Sequence, residues 1–395
     1  MTVATAQSRP GRPEDAVGGI VPGEVVRPSS VEEVAEVLRA AAADGRTVVP
    51  VGGRSKLSWA APPSSCDLVL DTTGLDRIVE HVAGDLTVVA EAGVRLADLQ
   101  EQVGQAGQML GLDPPEEGAT LGGVVGANAS GPRRLQYGTV RDLLIGTTVV
   151  LADGTVAHAG GKVVKNVAGY DLGKLYTGAH GTLGVLVSTT WRLHPVPPAR
   201  RVVTLELTDA ADAGALAIAL NRSTLTPSAV ELIGSAGGSA RLVVLFESIA
   251  ESVTDQARSA VSLLGGGTEA DSLPPDFGRR PGGADDVLLR LAFLPAALSS
   301  VLAALPAETT VSASAGTGVA YAAVPAAGAA ELLPGLRSAL APHDGTAVLL
   351  HAPDGVRSRL EHWGPVGDAL GLMRRVKERF DPERRMSPGR FVGGL

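Results

Sequence analysis

Glycine recurs throughout the segment from Gly107 to Val196, and small polar residues such as Thr120, Asn128 and Ser130 stand between the glycines. This density of glycine costs backbone entropy unless the chain needs positive φ angles or must bring its backbone close to a ligand. A second glycine-rich loop, PVGGRSK at 50–56, follows a short apolar strand. Because backbone N–H groups at the end of a strand can form an anion-binding nest, two such loops indicate an extended, phosphate-bearing cofactor. The alternative is a loop-rich domain with many tight turns.

Local signals predict the elements that position these loops. Ser30 followed by Glu33 predicts a capping box at the start of a helix. The β-branched run 47–51 predicts a strand leading directly into the first loop, and Asp153-Gly154 predicts a hairpin turn. Further strands are predicted at 68–71, 86–90, 143–151 and 183–193, with a helix at 96–104 and one or two helical turns at 170–176.

The composition changes after residue 193, where three prolines at 195, 197 and 198 remove hydrogen-bond donors and stiffen the chain. We therefore expect a first domain at 26–197 and a second at 198–365. The second domain alternates strands with Ala- and Leu-rich helices, which predicts an α+β cap with an antiparallel sheet. Its strands are expected at 202–207, 241–246, 287–292, 319–324 and 347–351.

Three segments outside these elements carry weaker signals. Residues 1–25 are rich in Gly, Pro and polar residues and are expected to form a flexible arm. The segment 265–283 is expected to be a surface loop, because its G-x-G-x-x-A pattern follows a helix instead of the strand that a dinucleotide fingerprint requires. The C-terminal segment 366–395 is expected to form a helix and a tail that return to the first domain.

Composition excludes several classes of protein. The chain has 395 residues, 45% hydrophobic and 19% charged, as expected of a globular protein, and its net charge of −8 argues against a nucleic-acid partner. It contains no apolar run long enough to span a bilayer and no apolar signal-peptide core. The single cysteine, Cys66, cannot form an internal disulfide or an all-cysteine iron–sulfur cluster. These features predict a cytoplasmic protein.

The motifs PVGGRSK, DPPEEGATLGGVVGANASG and KNVAGYDLGKLYTGAHGTLGVL resemble the FAD-binding domain of the vanillyl-alcohol oxidase (PCMH-type) flavoprotein superfamily. Within it, the chain most resembles the FAD-binding (E) subunits of bacterial glycolate oxidases, and the C-terminal stretch WGPVGDALGLMRRVKERFDPERRMSPGRFVGG is similar to the tail of the same family. The resemblance implies a two-part PCMH-type FAD domain, an α+β cap domain and FAD as cofactor. The flavin would carry the redox chemistry, and the protein would position it.

The resemblance also implies which residues contact FAD. They lie in three glycine-rich segments: Val51, Gly52, Gly53, Arg54, Ser55, Lys56, Pro115, Thr120, Gly122, Gly123, Asn128, Ser130, Gly131, Gly178, Gly181, Leu183, Gly184 and Val185. The side chains of Arg54 and Lys56 either screen the FAD pyrophosphate or are solvated loop charges. Covalent-flavin relatives have a histidine at the position of Arg54, so the resemblance implies non-covalent FAD. We expect Gly122 and Gly123 to allow close backbone approach and positive φ, so Gly123→Val should yield apoprotein.

The catalytic residues are not identified by the sequence, and a metal site is not predicted. Catalytic subunits of this superfamily contain a metal-binding stretch. The segment His351-Ala352-Pro353-Asp354-Gly355 is similar only to the first residues of that stretch. Arg290, on an apolar strand, is a candidate for binding a substrate carboxylate, although a structural salt bridge would explain it equally well.

The resemblance implies a subunit of a glycolate oxidase or dehydrogenase complex, which oxidises a 2-hydroxy acid or transfers electrons to partner subunits. The implied partners are a larger FAD-containing catalytic subunit and an iron–sulfur subunit. Two alternatives remain open at this point. The first is a self-sufficient FAD-dependent 2-hydroxy-acid dehydrogenase, and the second is an assembly subunit in which FAD is structural.

Overall fold

The computed structural model describes residues 6–162 and 171–395, and the strands of these residues form four sheets. The α+β class expected from the sequence is confirmed. The predicted helical turns at 170–176 begin outside the described residues, at Tyr170, and one turn is seen at Gly173–Tyr176.

The N-terminal part of the fold ends near residue 197 and contains three of the sheets. Its strands are β1 Gln7–Pro10, β2 Glu24–Arg27, β3 Val48–Val51, β4 Leu68–Asp71, β5 Ile78–Val82, β6 Thr87–Glu91, β7 Gln108–Met109, β8 Leu144–Val150, β9 Val156–Gly160, β10 Val185–Arg192 and β11 His194–Pro195. Its helices are α1 Val31–Ala43, α2 Leu96–Gly104, α3 Leu121–Ala127, α4 Arg134–Tyr137, α5 Val140–Leu143 and α6 Gly173–Tyr176.

Two of these sheets frame the glycine-rich loops. In the sheet ordered β1-β2-β4-β3, the strands β2, β4 and β3 are parallel, so the loop that follows β3 leaves at the carboxyl edge of the parallel strands. In the antiparallel sheet ordered β5-β6-β10-β8-β9, the strand β10 directly follows the third glycine-rich segment. The small sheet pairs β11 with β7.

The C-terminal part is built on one eight-stranded sheet, which we call the large sheet, and all its pairs are antiparallel. Its strands are β12 Ala199–Leu207, β13 Ala229–Ser235, β14 Ala240–Ser248, β15 Thr268–Ala270, β16 Asp286–Ala292, β17 Thr310–Ser314, β18 Val319–Pro325 and β19 Thr346–His351. The helices are α7 Ala213–Arg222, α8 Ala250–Leu264, α9 Leu298–Ala303, α10 Ala329–Leu340, α11 Asp354–Arg357 and α12 Ala369–Phe380.

The two faces of the large sheet have different partners. On one face, alternate residues such as Ala320 and Ala322 join the main apolar core beneath the helices. On the other face, Tyr321 packs with Trp59 and Ala129 of the N-terminal part. Because side chains alternate along a strand, the large sheet presents this second face to the loops that carry the glycine motifs.

Of two local predictions, the Ser30–Glu33 capping box is confirmed only in its N-cap half and the hairpin turn is confirmed in full. The Ser30 Oγ accepts the N–H of Glu33 at 3.1 Å and caps α1, although the Glu33 carboxylate accepts the N–H of Ser29, not that of Ser30. The Asp153-Gly154 turn joins β8 and β9, with Gly154 at φ 81°.

Three expectations are wrong. Residues 6–25 do not form a flexible arm, because β1 pairs with β2 and the buried Asp15 accepts hydrogen bonds from Arg9 at 2.5 and 2.7 Å. The segment 265–283 is not all loop, because β15 pairs with the edge strand β12. The large sheet has more strands than expected: β13 and β17, whose short mixed-polarity sequences gave little signal, pair with each other.

The C-terminal tail packs against the N-terminal part. The N–H of Ser387 donates to the carbonyl of Val48 at 2.8 Å, which places the tail beside β3. The buried ammonium of Lys377 binds the Asp381 carboxylate at 2.7 Å and donates to the Thr182 carbonyl at 2.7 Å. These contacts tie α12 and the tail to the third glycine-rich segment. Together with the separation of the sheets, they support our proposed boundary at 197 and a returning tail.

Candidate cofactor site

A cleft of about 850 Å³, including part of its open mouth, lies between the three glycine-rich segments. Its walls are the loop after β3, helix α3 with its N-cap, and the segment leading into β10. Thirteen of the eighteen residues predicted to contact FAD line it: Val51, Gly52, Gly53, Arg54, Ser55, Lys56, Thr120, Gly122, Gly123, Gly181, Leu183, Gly184 and Val185.

The first two glycine-rich segments pack directly on each other. A Cβ on Gly52 would lie 2.2 Å from the Thr120 Oγ1, and one on Gly53 would lie 1.8 Å from the Gly118 carbonyl oxygen. Glycine is therefore required here so that the two loops can meet. At Gly52 and Gly53 the wall therefore presents backbone, without side chains, to the cleft.

The second wall is the short helix α3. The Thr120 Oγ1 accepts the N–H of Gly123 at 3.3 Å and caps the helix, and Asn128 ends it in the left-handed conformation at φ 49°. Gly122 and Gly123 lie inside the helix and do not have positive φ, so that part of the prediction is wrong. Gly126 lines the cleft, and a Cβ there would meet no atom within 4 Å.

The third wall depends on positive φ. Gly181 has a φ of 76°, and a Cβ there would also lie 2.5 Å from the Pro50 Cγ. The N–H of Gly178 donates to the Val125 carbonyl and that of His180 to the Gly126 carbonyl, each at 2.9 Å. These bonds hold the segment against the last turn of α3.

Arg390, in the C-terminal tail, also lines the cleft and was not predicted from the sequence. Its Nη2 donates to the Leu57 carbonyl at 2.9 Å, whereas its buried Nη1 has no hydrogen-bond partner within the described part of the chain. Burial, together with the nearby charge of Arg357, lowers the pKa of Arg390 to about 10. Among the described residues, no carboxylate forms an ion pair with this cation.

These features fit an FAD-sized, anionic cofactor. The Arg390 Nη1 and the Tyr176 Oη are buried polar atoms that line the cleft without a partner among the described residues. Buried polar groups are normally hydrogen-bonded, so both atoms indicate that a ligand completes the site. The exposed backbone of the Gly52 loop and the open space at Gly126 would receive it.

The two loop cations behave differently from each other. The Arg54 guanidinium turns away toward the N-terminal segment, where it contacts the Asp15 carboxylate at 3.3 Å. Lys56 is buried and donates to the Ser55 Oγ at 3.0 Å. Burial and, to a smaller extent, the charge of Arg280 outweigh the opposite effect of Glu116 and lower the pKa of Lys56 to about 8.

Five predicted contacts do not line the cleft: Pro115, Asn128, Ser130, Gly131 and Gly178. Gly131 packs against Asp113, and Pro115 lines a separate groove toward the large sheet. The buried Asn128 Oδ1 and Ser130 Oγ have no partner in the described residues. Their role as FAD contacts stays a prediction.

Arg290 lies on β16, opposite Tyr321 of β18 and Val348 of β19, and does not line the cleft. His351, at the end of β19, donates from its Nε2 to the Ala284 carbonyl at 2.9 Å. Within the described residues, no group of three or more His, Cys, Asp or Glu side chains could hold a metal ion. The metal-free assignment stays a prediction. Among the same residues, no helix is both long and apolar enough to cross a membrane.

Comparison with known proteins identifies two family matches. A model described as an FAD binding domain matches residues 22–160, and one described as the C-terminal domain of FAD linked oxidases matches residues 354–391. The second match covers most of the C-terminal helix and tail, including Arg390, which lines the cleft.

Curated relatives share about a third of the aligned residues. The D-lactate dehydrogenase of Archaeoglobus fulgidus is 34% identical over 60% of this chain and 57% of its own length. The mitochondrial D-lactate dehydrogenase [cytochrome] of Arabidopsis thaliana is 32% identical over 56% and 40%. The glycolate oxidase subunit GlcD of Bacillus subtilis is 32% identical over 54% and 46%. The chain thus spans about half the length of the curated relatives it matches.

The solved structure of an alkyldihydroxyacetonephosphate synthase superposes with a TM-score of 0.70 and 18% identity, over 93% of this chain and 76% of that one. This likeness concerns the fold. The two family matches, together with the cleft, show that the chain is an FAD-linked oxidoreductase with FAD as its cofactor.

Proposed function

We propose that this chain is the FAD-binding subunit of a complex that oxidises a small 2-hydroxy acid such as glycolate. The observation that carries the proposal is the cleft. Its three glycine-rich walls and the Nη1 of Arg390, which has no partner among the described residues, suit an anionic cofactor. Relatives named for D-lactate, glycolate and D-2-hydroxyglutarate support a 2-hydroxy acid as substrate. When bound, FAD supplies the two-electron acceptor that such an oxidation requires.

The residues of the cleft would hold FAD without a covalent bond. Backbone groups of Gly52 and Gly53 would approach the cofactor closely, and Arg390 would supply positive charge. Arg54 stands where a histidine would form the covalent bond, and its guanidinium contacts Asp15.

We propose a larger FAD-containing catalytic subunit and an iron–sulfur subunit as partners, with the complex in the cytoplasm or at the membrane through those partners. One relative is named as a glycolate oxidase subunit, which supports membership of a complex. The relatives named simply as dehydrogenases support the second candidate, a self-sufficient enzyme. The half-buried Arg290, which has no ion pair within the described ranges, favours that candidate as a binder of substrate carboxylate.

Reconstitution separates the two candidates. Glycolate-dependent dye reduction is measured for the FAD-loaded chain alone and after addition of both partner subunits, and each rate is expressed per flavin. We expect slow turnover by the chain alone and a large increase with both partners. If the chain alone matches the complex, it is a self-sufficient dehydrogenase. If neither preparation reduces the dye with glycolate, D-lactate or D-2-hydroxyglutarate, the proposed function is wrong.

A further inference from the structure

Four cationic side chains gather where the N-terminal part meets the large sheet, a contact region that we call the seam. They are Lys56, Arg134, Arg280 and Arg290. Tyr321 lies among the three arginines, with the Arg280 Cζ 3.7 Å from its ring centroid and the Arg134 Nη2 3.4 Å from its hydroxyl.

The carboxylates at the seam do not balance these charges. Arg280 pairs with Glu116 at 2.8 Å, but Arg134 donates only to backbone carbonyls and to the Tyr321 hydroxyl. Lys56 donates to the Ser55 Oγ, and Arg290 has no side-chain partner among the described residues. Among the described residues, only one of the four cations, Arg280, thus forms an ion pair with a carboxylate.

The neighbouring acidic residues are engaged elsewhere. Asp113 and Glu247 both contact Arg133, at 3.6 and 2.7 Å. Glu231 accepts from the Ser314 hydroxyl, and burial raises the pKa of Glu231 to about 7. Buried charges need counter-charges, and within the described ranges the cations of the seam outnumber the carboxylates that pair with them.

The excess of positive charge affects the pKa of the Tyr321 phenol. Burial raises the pKa of Tyr321, but the nearby guanidiniums of Arg280, Arg134 and Arg290 outweigh burial and lower it. A phenol this deeply buried is stabilised as an anion only where the surrounding potential is strongly positive.

The seam also contains an acceptor without a donor. The Glu116 side chain is 9% exposed, its Oε1 binds Arg280, and its Oε2 has no partner within the described part of the chain. A groove lined by Glu116, Leu273, Phe277 and Arg280 connects this pair with solvent. Lys56, whose charge is close to both residues of the pair, lines the FAD cleft. A small solute in the groove would therefore meet the Glu116–Arg280 pair close to the FAD cleft.

We propose that Glu116 determines specificity for a hydroxy acid over the corresponding keto acid at the seam. The ligand's carboxylate would lie near Tyr321 between Arg280 and Arg290, and its 2-hydroxyl would donate to the Glu116 Oε2. An ionised carboxylate only accepts hydrogen bonds, so it attracts a hydroxyl donor and repels the carbonyl oxygen of a keto acid. The proposal rests on the proposed function, because it assumes that a 2-hydroxy acid is the relevant ligand.

The test measures binding of D-lactate and pyruvate to the FAD-loaded chain by titration calorimetry. Glu116→Gln keeps the size of the side chain but adds a donor, and the exposed Glu269→Gln on β15 is its control. Since a hydrogen bond to a charged group is worth at least about tenfold in affinity, Glu116→Gln should lower the ratio of the pyruvate Kd to the lactate Kd about tenfold or more. Arg290→Leu should weaken both ligands about equally, whereas the exposed Arg222→Leu should weaken neither.

Thermal unfolding of each variant establishes that it is folded, and if Glu116→Gln is not, Glu116→Ala, which removes the acceptor, replaces it with the same lowered ratio expected. An unchanged ratio in a folded variant at position 116 would overturn the inference, as would absence of lactate binding to the parent chain. Neither result would refute the proposed function, provided that the reconstituted complex oxidises glycolate. Conversely, lactate binding without oxidation by the complex would refute the function but not the site.

Discussion

The position of the cofactor can be tested at Gly126, on the last turn of α3. This glycine lines the cleft, and a Cβ would meet no atom within 4 Å, so a larger side chain can be accommodated by the protein itself. Glycine inside a helix costs up to about 1 kcal/mol relative to better helix formers. Gly126→Leu should therefore leave the free energy of unfolding of the apoprotein unchanged or raise it by about 0.5–1 kcal/mol.

The same substitution should weaken FAD binding, because the leucine side chain would project into space that the cofactor needs. Overpacking a filled site costs about 1–3 kcal/mol, which corresponds to roughly a 5- to 150-fold increase in the Kd for FAD. The matched control is Gly335→Leu, at an exposed position of α10 where a Cβ also meets no atom within 4 Å.

The assay combines denaturant unfolding of the apoproteins with titration of each variant by FAD, followed by quenching of the flavin fluorescence. We expect Gly335→Leu to bind FAD like the parent chain and Gly126→Leu to bind more weakly at equal or higher stability. Parent-like affinity in Gly126→Leu would show that FAD does not occupy the cleft beside α3. Loss of stability in Gly126→Leu would refute the inference that the position is open.

Three further predictions follow from the site and its surroundings. Trichloroacetic acid should release the FAD into the supernatant, because Arg54 cannot form a covalent flavin bond; colour retained in the pellet would contradict this. Chelation should change neither activity nor unfolding temperature, and elemental analysis showing one equivalent of metal per chain would disprove the metal-free assignment. Burial raises the pKa of Glu231 from 4.5 to about 7, so between these pH values the folded chain binds more protons than the unfolded chain, and its stability falls as the pH rises. Glu231→Gln should flatten this dependence in unfolding experiments across the window, whereas the exposed Glu308→Gln should leave it unchanged.

The sequence alone predicted the features that depend on neighbouring residues. The cap of α1 at Ser30 and the turn at Asp153-Gly154 follow from side-chain hydrogen bonds and backbone preferences within a few positions. The glycine-rich walls were also predicted, because glycine at such density has few other uses. The sequence did not predict why individual glycines are required. Gly52 and Gly53 are required because a side chain at either position would collide with the second glycine-rich loop.

The tertiary structure decided the features that join distant parts of the chain. Arg390 reaches the cleft by binding the carbonyl of Leu57, and Arg280 pairs with Glu116 across the seam. Neither residue stands in a periodic pattern or next to its partner in the sequence, so nothing local indicates the contact. The strand β1 and the pair of β13 with β17 were missed for the same reason, since a short strand of mixed polarity is stabilised only by the neighbour with which it pairs. The sequence thus determined the glycine-rich backbone that can hold a cofactor. Long-range packing determined which charged side chains surround it, because the free energy of a buried charge depends on the residues that are buried with it.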